Sequence, residues 1–349
     1  MPIDHPGDRP SPPEPYPADS GAPARAATDR PTVSFELFPP RSPKSFGALT
    51  TTIQALAAAR PDFISVTYGA SGSTRQTTRE LVRHLLAHTS VLPIAHLTCV
   101  GVSRADVVAV IEEFLDEGVR NFLALRGDPP KDRPNFEPPL GELVRASELV
   151  ELLREVEAAR CVTSASQALR GAAHKLSVAV AAFPAGNPSA GSSREQDLRA
   201  LLAKQEAGAD FAITQVFFEA RSYLNLIRDA RAIGITIPIV AGVIPTTDPA
   251  RLIRLEQLTG VQVPTELLAN LAAADDPAER HRVGIRASVA LANEVLDGGA
   301  PGLHIYTFNQ HEAALDLLEG VHLGGGAPMA PNPAIEPRVT APHPNYLTI

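Results

Sequence analysis

The sequence predicts an α/β fold, a single (β/α)8 TIM barrel, on two observations. Short apolar segments alternate with amphipathic segments throughout residues 31–322. Each apolar segment is hydrophobic at nearly every position, which is typical of parallel strands that helices cover on both faces. Eight such alternations favour one closed barrel, in which the carboxyl ends of all strands meet at one site. The predicted strands are 33–38, 63–68, 94–100, 121–125, 176–183, 211–217, 237–243 and 303–307.

The helices between these strands are indicated by their end residues. Ser103 precedes an apolar stripe that stops before Gly118, which is the pattern of an N-cap and a C′ glycine. Asp276 is followed by proline and starts another predicted helix, which ends at Gly298. The sequence therefore predicts helices as crossovers between parallel strands.

The chain is predicted to hold one domain between two Pro-rich tails. Residues 1–30 and 323–349 show neither helical nor strand periodicity, so we expect them to be disordered. A tail that docks on a neighbouring subunit is the alternative. Residues 31–322 would form the catalytic barrel, and 131–174 would be an insertion that carries one helix at about 145–158.

Composition excludes several classes of protein. The net charge of -8 argues against nucleic acid as a partner. No run approaches the apolar length of a membrane span, and the first thirty residues contain no secretory signal. The two cysteines, Cys99 and Cys161, form neither a disulfide framework nor a metal-ligand pattern. We therefore expect a cytoplasmic protein without a metal site, and the sequence leaves homo-oligomer formation open.

Polar residues interrupt the apolar strands near their carboxyl ends, which in a barrel face the active-site mouth. A carboxylate at Glu36, among Phe and Leu, is costly unless it has a function, and a structural pair with Arg41 is the alternative. His96 taken alone favours a hydrogen-bonded core histidine. The joint position of these residues at one end of the barrel predicts a site. They are Glu36, Thr67, His96, Arg126, Gly127, Asp128, Gln215, Tyr306 and Asn309.

Two further patterns indicate a ligand with phosphate groups. In Arg126-Gly127-Asp128, glycine would let a planar ligand approach the backbone, and arginine would offer donors to a phosphate or a carbonyl. The alternative is an exposed turn with a salt bridge. Asp197 and Lys204 lie seven residues apart on one predicted helix and share a face, from which they would reach a ribose hydroxyl and a phosphate. The alternative for this pair is the solvated edge of a buried stripe.

Six segments follow one another in a recognisable order and spacing. They are 33–41 (VSFELFPPR), 64–70 (ISVTYGA), 96–99 (HLTC), 124–128 (ALRGD), 207–210 (AGAD) with 213–215 (ITQ), and 304–307 (HIYT). Together they resemble the methylenetetrahydrofolate reductase family over residues 31–322. The resemblance implies a barrel with non-covalent FAD that reduces 5,10-methylenetetrahydrofolate to 5-methyltetrahydrofolate. NADH or NADPH would be the reductant, in one-carbon metabolism and methionine supply.

The resemblance also implies roles for single residues. Glu36 would be the general acid, and Asp128 would act beside the flavin and the folate pterin. The residues implied to hold FAD are Thr67, His96, Arg126, Gly127, Asp128, Phe183, Asn187, Asp197 and Lys204. Those implied to contact the substrate are Glu36, Gln215, Tyr306 and Gln310.

Four positions depart from the family's usual pattern. Phe183 and Asn187 stand where Tyr and His are common near FAD. Leu255 replaces an aromatic that often stacks on the substrate, and Gln310 replaces a common Arg. These departures put the contacts with the folate tail and the nicotinamide in question, whereas the chemistry expected at Glu36 is not affected.

The expected chemistry needs an acid. Methylenetetrahydrofolate opens its five-membered ring before it accepts hydride, and the departing nitrogen then requires a proton. Burial of Glu36 beside Phe35, Leu37 and Phe38 predicts a raised pKa, which suits a proton donor. Two other functions stay open: another barrel enzyme, such as an aldolase or a flavin-dependent proline oxidase, and a non-catalytic folate- or flavin-binding relative.

Overall fold

Eight parallel strands close into one barrel, in the order β1 to β8, and the pairing of β1 with β8 completes it. The computed structural model describes residues 30–40, 43–68, 72–127, 142–162 and 175–324. The closed barrel of eight parallel strands confirms the predicted (β/α)8 fold. The strands are β1 Thr32–Leu37, β2 Phe63–Val66, β3 Leu92–Thr98, β4 Asn121–Leu125, β5 Ser177–Ala182, β6 Phe211–Thr214, β7 Ile239–Val243 and β8 Gly302–Tyr306.

Ten α-helices are present in the described parts of the chain. They are α1 Pro43–Ala58, α2 Gly72–His88, α3 Arg104–Asp116, α4 Ala146–Val162, α5 Arg194–Glu206, α6 Ala220–Ala232, α7 Pro249–Thr259, α8 Thr265–Ala272, α9 Pro277–Asp297 and α10 His311–Glu319. Within the predicted insertion, the helix expected at about 145–158 is found as α4, and residues 128–141 and 163–174 lie outside the described residues. Both predicted tails also lie outside them, apart from residues 30 and 323–324. None of the described helices is long and apolar enough to cross a membrane.

The predicted helix caps are found. The Ser103 side chain accepts a hydrogen bond from the backbone N–H of Asp106 at the start of α3. Gly118 follows α3 with a φ of 94°, a left-handed conformation that glycine adopts without steric cost. Asp276 accepts from the backbone of Glu279 and starts α9. Local sequence thus determines where the crossovers begin and end.

The strands divide the apolar core into two layers. Residues inside the barrel form a small cluster, which includes Phe63, Ile94 and Phe211. A larger cluster lies between the strands and the surrounding helices and contains Phe35 and Leu37 of β1. Because side chains alternate along a strand, the neighbours of these two residues face the barrel axis.

Polar groups lie above the inner apolar layer and are hydrogen-bonded to one another. The imidazole of His304 contacts Ser34 through Nδ1, at 2.8 Å, and Ser65 through Nε2, at 3.2 Å. Its ring stacks on Phe63, with centroids 5.6 Å apart. Burial lowers the pKa of His304 to about 3, so this histidine is neutral at physiological pH. The floor of the mouth is therefore polar but uncharged.

Gly242 in β7 allows Tyr306 of β8 to reach across to β6. The Tyr306 hydroxyl donates to the backbone oxygen of Thr214 at 2.7 Å. A Cβ atom at position 242 would lie 2.2 Å from that oxygen and 2.8 Å from the tyrosine ring. Only glycine fits between the two strands at this point.

Candidate active site

Glu36 is the buried carboxyl group of the barrel mouth. Its side chain is 9% exposed. Burial raises its pKa from 4.5 to about 7, and His96 lowers the pKa by a smaller amount. A group with this pKa is protonated in about half of the molecules near pH 7 and can therefore release a proton to a bound molecule.

The raised pKa expected from the sequence is found, but the proposed cause was partly wrong. Phe35 and Leu37 belong to the cluster between strands and helices, on the opposite side of β1. Glu36 lies on the inner face of β1, where it interacts electrostatically with His96 and Tyr306. Arg41, the alternative partner of Glu36, lies outside the described residues.

Two neutral histidines stand beside the carboxyl group. The distances from Glu36 Oε2 are 3.7 Å to His96 Nε2 and 4.0 Å to His304 Nε2. Burial lowers the pKa of His96 to about 4. Although the distances are those of ion pairs, neither histidine carries charge near pH 7, and both distances exceed that of a hydrogen bond. Among the residues that the structure describes, Glu36 therefore has no cationic partner that would hold it ionised.

The Nε2 atom of His96 is buried and has no hydrogen-bond partner among the described residues. Sequence reasoning left open whether His96 is a core residue, and the structure places it beside Glu36 at the mouth. A buried polar atom without a partner costs free energy, of the order of 1–3 kcal/mol. Such an atom is expected where a ligand completes the hydrogen bonding.

Hydrogen bonds hold the segment that follows β8 against the end of β1. Thr307 donates through Oγ1 to the backbone oxygen of Glu36 at 2.6 Å. The amide of Asn309 bonds the backbone of Phe38 twice, donating to its oxygen at 2.9 Å and accepting from its nitrogen at 2.8 Å. Phe308 and Asn309 have φ angles of 51° and 58°. Non-glycine residues rarely adopt these angles, and they persist where surrounding contacts impose them.

Gly127 packs tightly on β3. Its φ is 82°, and an added Cβ would lie 3.0 Å from Cβ of Thr98. The hydroxyl oxygen of Thr98 is buried and has no hydrogen-bond partner in the part of the chain that the structure describes. The Arg126 side chain is exposed. Asp128, the second predicted catalytic residue, lies outside the described residues.

Lys204 and Asp197 lie on α5, as the sequence predicted, but Lys204 does not extend to solvent. Its ammonium group is buried and donates to the backbone oxygen of Ala181 at 2.8 Å. Burial lowers its pKa to about 8, and Asp197 opposes this shift. Asp197 accepts from Ser192 through Oδ1 at 2.5 Å, whereas its Oδ2 is buried without a partner in the described chain. The ammonium group of Lys204 and the Oδ2 atom of Asp197 lie on one helix, and each can make a further hydrogen bond to a ligand.

Other predicted site residues surround this arrangement. The Phe183 ring lies 5.8 Å from Lys204 Nζ, and Asn187 is bridged to Ser192 ahead of α5. Gln215 accepts from the nitrogen of Val216 at 2.9 Å, and it follows the last residue of β6, which ends three residues before the predicted boundary.

Thr67 follows β2 directly. Its nitrogen donates to Leu37 at 3.0 Å, which holds it at the same end of the barrel as Glu36. The structure thus places the described residues of the predicted strand-end group at the carboxyl ends of the strands. The pair Asp197 and Lys204 lies at the same end, because Lys204 bonds Ala181 near the end of β5.

Sequence reasoning missed Arg251 of α7. Its Nη1 donates to Oε1 of Gln310 at 2.8 Å, and its guanidinium carbon lies 4.9 Å from the centre of the Phe308 ring. The two residues are 59 positions apart, so no local pattern indicated the contact. The only signal in the sequence was the position of Arg251 in the first turn of the helix that follows β7, at the end of the barrel where the site was expected.

Comparisons with known proteins identify the family to which the chain is similar. A family model described as methylenetetrahydrofolate reductase matches residues 23–322. A 5,10-methylenetetrahydrofolate reductase of Pectobacterium carotovorum subsp. carotovorum is 32% identical over 283 residues, which are 80% of this chain and 86% of that protein. The enzyme of that name from Escherichia coli (strain K12) is 31% identical over 281 residues, or 80% of this chain and 87% of that protein.

Longer relatives also match. A probable methylenetetrahydrofolate reductase (NADH) of Oryza sativa subsp. japonica is 31% identical over 307 residues, which are 85% of this chain and 49% of that protein. The chain thus spans about half the length of this plant relative. A solved structure of an uncharacterized Clostridium thermocellum protein that binds two copies of 5-methyl-5,6,7,8-tetrahydrofolic acid covers 83% of this chain and 95% of its own. It has a TM-score of 0.54 at 14% identity, which supports the fold.

Fold and site together define a (β/α)8-barrel protein with a buried, protonatable carboxyl group at the mouth. Within the described residues, the buried Nε2 of His96 lies beside it without a hydrogen-bond partner, at the strand ends where barrel enzymes bind their ligands. The chain belongs to the methylenetetrahydrofolate reductase family.

Proposed function

We propose that the protein reduces 5,10-methylenetetrahydrofolate to 5-methyltetrahydrofolate with NADH or NADPH, and that it uses FAD. The observation that carries the proposal is Glu36, a carboxyl group whose pKa is raised to about 7 at the barrel mouth. Family membership favours this reaction over the aldolase and proline-oxidising alternatives. The reaction would serve one-carbon metabolism and the supply of methionine.

Glu36 would supply the proton that opens the folate ring. Opening breaks a carbon–nitrogen bond, and the nitrogen leaves more easily when it is protonated. Because His96 and His304 are neutral, they do not hold Glu36 in the ionised form. The same burial that raises its pKa also excludes water that would compete for the proton. Asp128 is proposed to assist beside the substrate pterin.

The residues on the neighbouring strands and on α5 fit FAD. The buried Oδ2 of Asp197 lacks a partner and would accept from a ribose hydroxyl, while Lys204 would donate to a phosphate. Gly127, whose missing side chain lets the backbone pack against Thr98, is proposed to lie beside the planar ring of the flavin. The remaining residues proposed to contact FAD are Thr67, His96, Arg126, Asp128, Phe183 and Asn187.

When bound, FAD supplies the chemistry of hydride transfer between the nicotinamide and the folate. The protein's residues orient the reactants and hold the proton. On the substrate side, the amide oxygen of Gln215 is bonded to Val216, so the amide nitrogen is the group that would donate to a ligand. The hydroxyl of Tyr306 is bonded to Thr214, so its ring is the part that would contact the folate.

The test is the reaction itself, followed with purified protein. Supplied with FAD, methylenetetrahydrofolate and either NADH or NADPH under anaerobic conditions, the protein should form 5-methyltetrahydrofolate. The purified protein should also show the visible absorption of a flavin, or gain it when FAD is added. Absence of product with both reductants, in a protein that has bound FAD, would contradict the proposed reaction.

A further inference from the structure

The segment 183–193 connects β5 to α5 and carries Phe183 and Asn187, two residues proposed to contact FAD. Regular structure in this segment, which the structure describes throughout, is limited to one 3₁₀ turn, Pro188–Ala190. A segment of this kind is held in one conformation by the contacts that it makes with the elements beside it. These contacts therefore determine whether Phe183 and Asn187 are ordered before a ligand binds.

Arg194, the first residue of α5, bonds the start of this segment. Its Nη1 donates to the backbone oxygens of Phe183 at 3.2 Å and Pro184 at 2.9 Å. Its Nη2 donates to Oδ2 of Asp229 on α6 at 3.4 Å. The guanidinium is planar and carries its donors in a fixed arrangement, so one side chain bonds three acceptors. Arg194 thus joins the end of β5 to both α5 and α6.

Asp229 orients the guanidinium of Arg194. Its other oxygen, Oδ1, accepts two hydrogen bonds from Arg228, at 2.9 and 3.0 Å. Hydrogen bonding from Arg228 lowers the pKa of Asp229, so the carboxylate is ionised at neutral pH and attracts Arg194. Two arginines therefore share one carboxylate. Among the described residues, Arg228 donates to Asp229 alone, whereas Arg194 also bonds the backbone of segment 183–193.

Other side chains of α5 hold the same region. Lys204 donates to the backbone oxygen of Ala181, so carbonyl groups at the end of β5 and just after it accept from one helix. Farther along the segment, Asn187 is bridged to Ser192, and the Ser192 hydroxyl donates to Asp197. Both ends of the segment are therefore attached to the helix that carries the two polar residues proposed to bind FAD.

We propose that Arg194 is a positioning residue for FAD, which holds segment 183–193 in the conformation that receives the cofactor. The inference rests on the proposed function, because it takes FAD as the ligand. The hydrogen bonds of Arg194 go to the protein itself and are the same before and after FAD binds. Their loss therefore acts through the fraction of apoprotein in which the segment is ordered. The apparent dissociation constant for FAD rises by the inverse of that fraction.

The test measures FAD binding to the full chain from which FAD has been removed, by the change in flavin fluorescence in a stopped-flow instrument. Arg194→Met should slow association by about 5- to 50-fold, the order expected when a hydrogen bond from a charged donor is lost. The dissociation rate should change by less than about twofold, since the bound segment is already ordered. Arg194→Lys keeps a cation that bonds one of the two carbonyl oxygens and should recover part of the association rate.

Arg228→Met is the matched control. It removes the same charge beside Asp229 without breaking a bond to the segment, and it should bind FAD as the parent protein does. Because Arg228 is 70% exposed, its loss leaves no buried gap.

Other results would overturn the inference. Equal slowing by Arg194→Met and Arg228→Met would show that the arginines only attract a charged cofactor. An effect confined to the dissociation rate would assign Arg194 to direct contact with bound FAD. If the parent protein binds FAD and Arg194→Met binds it at the same rate, this inference alone fails. If the parent protein does not bind FAD, the proposed function fails with it.

Discussion

Replacement of Glu36 by Gln separates the chemical role of the carboxyl group from its effect on stability. The amide keeps the shape and a hydrogen-bonding group but has no transferable proton. General acid catalysis contributes about 10²–10⁴-fold, so reoxidation of the flavin by methylenetetrahydrofolate should slow by at least about a hundredfold. Reduction of the flavin by NADH or NADPH requires no acid at this position and should change only several-fold.

The same substitution should stabilise the protein at alkaline pH. The native state raises the pKa of Glu36 from 4.5 to about 7, so its contribution to stability is fully present below pH 4.5 and is lost as pH rises through 7. A shift of this size corresponds to about 3 kcal/mol of unfolding free energy. Glu36→Gln has no charge to bury. Relative to the parent protein, it should therefore gain up to about 3 kcal/mol between pH 5 and pH 8.5.

Both effects can be measured on one preparation. Stopped-flow absorbance times the two half-reactions separately, and urea unfolding at the two pH values, at one FAD concentration, gives the stability difference. Glu151→Gln on α4 is the control, because Glu151 is an exposed carboxylate on one of the helices outside the barrel. Undiminished folate reduction would place the acid elsewhere and make Asp128 the next residue to test. An equal stability difference at both pH values would refute the argument from burial.

Two further predictions concern binding and packing. Lys204→Met should weaken FAD binding to the apoprotein by about 10- to 100-fold, because a buried donor to phosphate is lost. Arg199→Met changes an exposed residue on the same helix and should leave FAD binding unchanged. Equal affinities of the two variants for FAD would rule out the role assigned to Lys204. Gly242→Ala should lower the free energy of unfolding by about 1–3 kcal/mol or more, since its Cβ would meet the Thr214 oxygen at 2.2 Å. Gly47→Ala in α1 meets nothing within 4 Å and should be neutral or stabilising, so urea unfolding that ranks the two variants the other way would contradict the packing argument.

The strands and helix caps could be predicted from the sequence because local patterns determine them. Near-continuous apolar runs indicated the eight strands, and Ser103 and Asp276 indicated where α3 and α9 begin. The end of β6 at Thr214 could not be predicted, because the apolar run that indicated the strand extends to Phe217. An apolar run continues past that point without remaining in the sheet.

Site residues could be predicted where a polar residue interrupts a single apolar strand. They were missed where the site depends on a contact between elements that are distant in the sequence. Glu36 is conspicuous because an acid interrupts an apolar run. Its inward direction and its neighbours follow from the register of β1 with β8, which no local pattern gives. Arg251 contacts Gln310 across 59 positions, and only the closed barrel brings them together.

The hydroxyl bond of Tyr306 across Gly242 has a consequence for the entropy of ligand binding. A tyrosine that rotated freely at the mouth would lose side-chain freedom when a ligand packed on its ring, at a cost of about 0.5–1.5 kcal/mol. Here the bond to Thr214 fixes the ring before any ligand arrives, so that loss of freedom occurs during folding. The ring is a rigid surface at the mouth, and a flat ligand can dock on it without first ordering it.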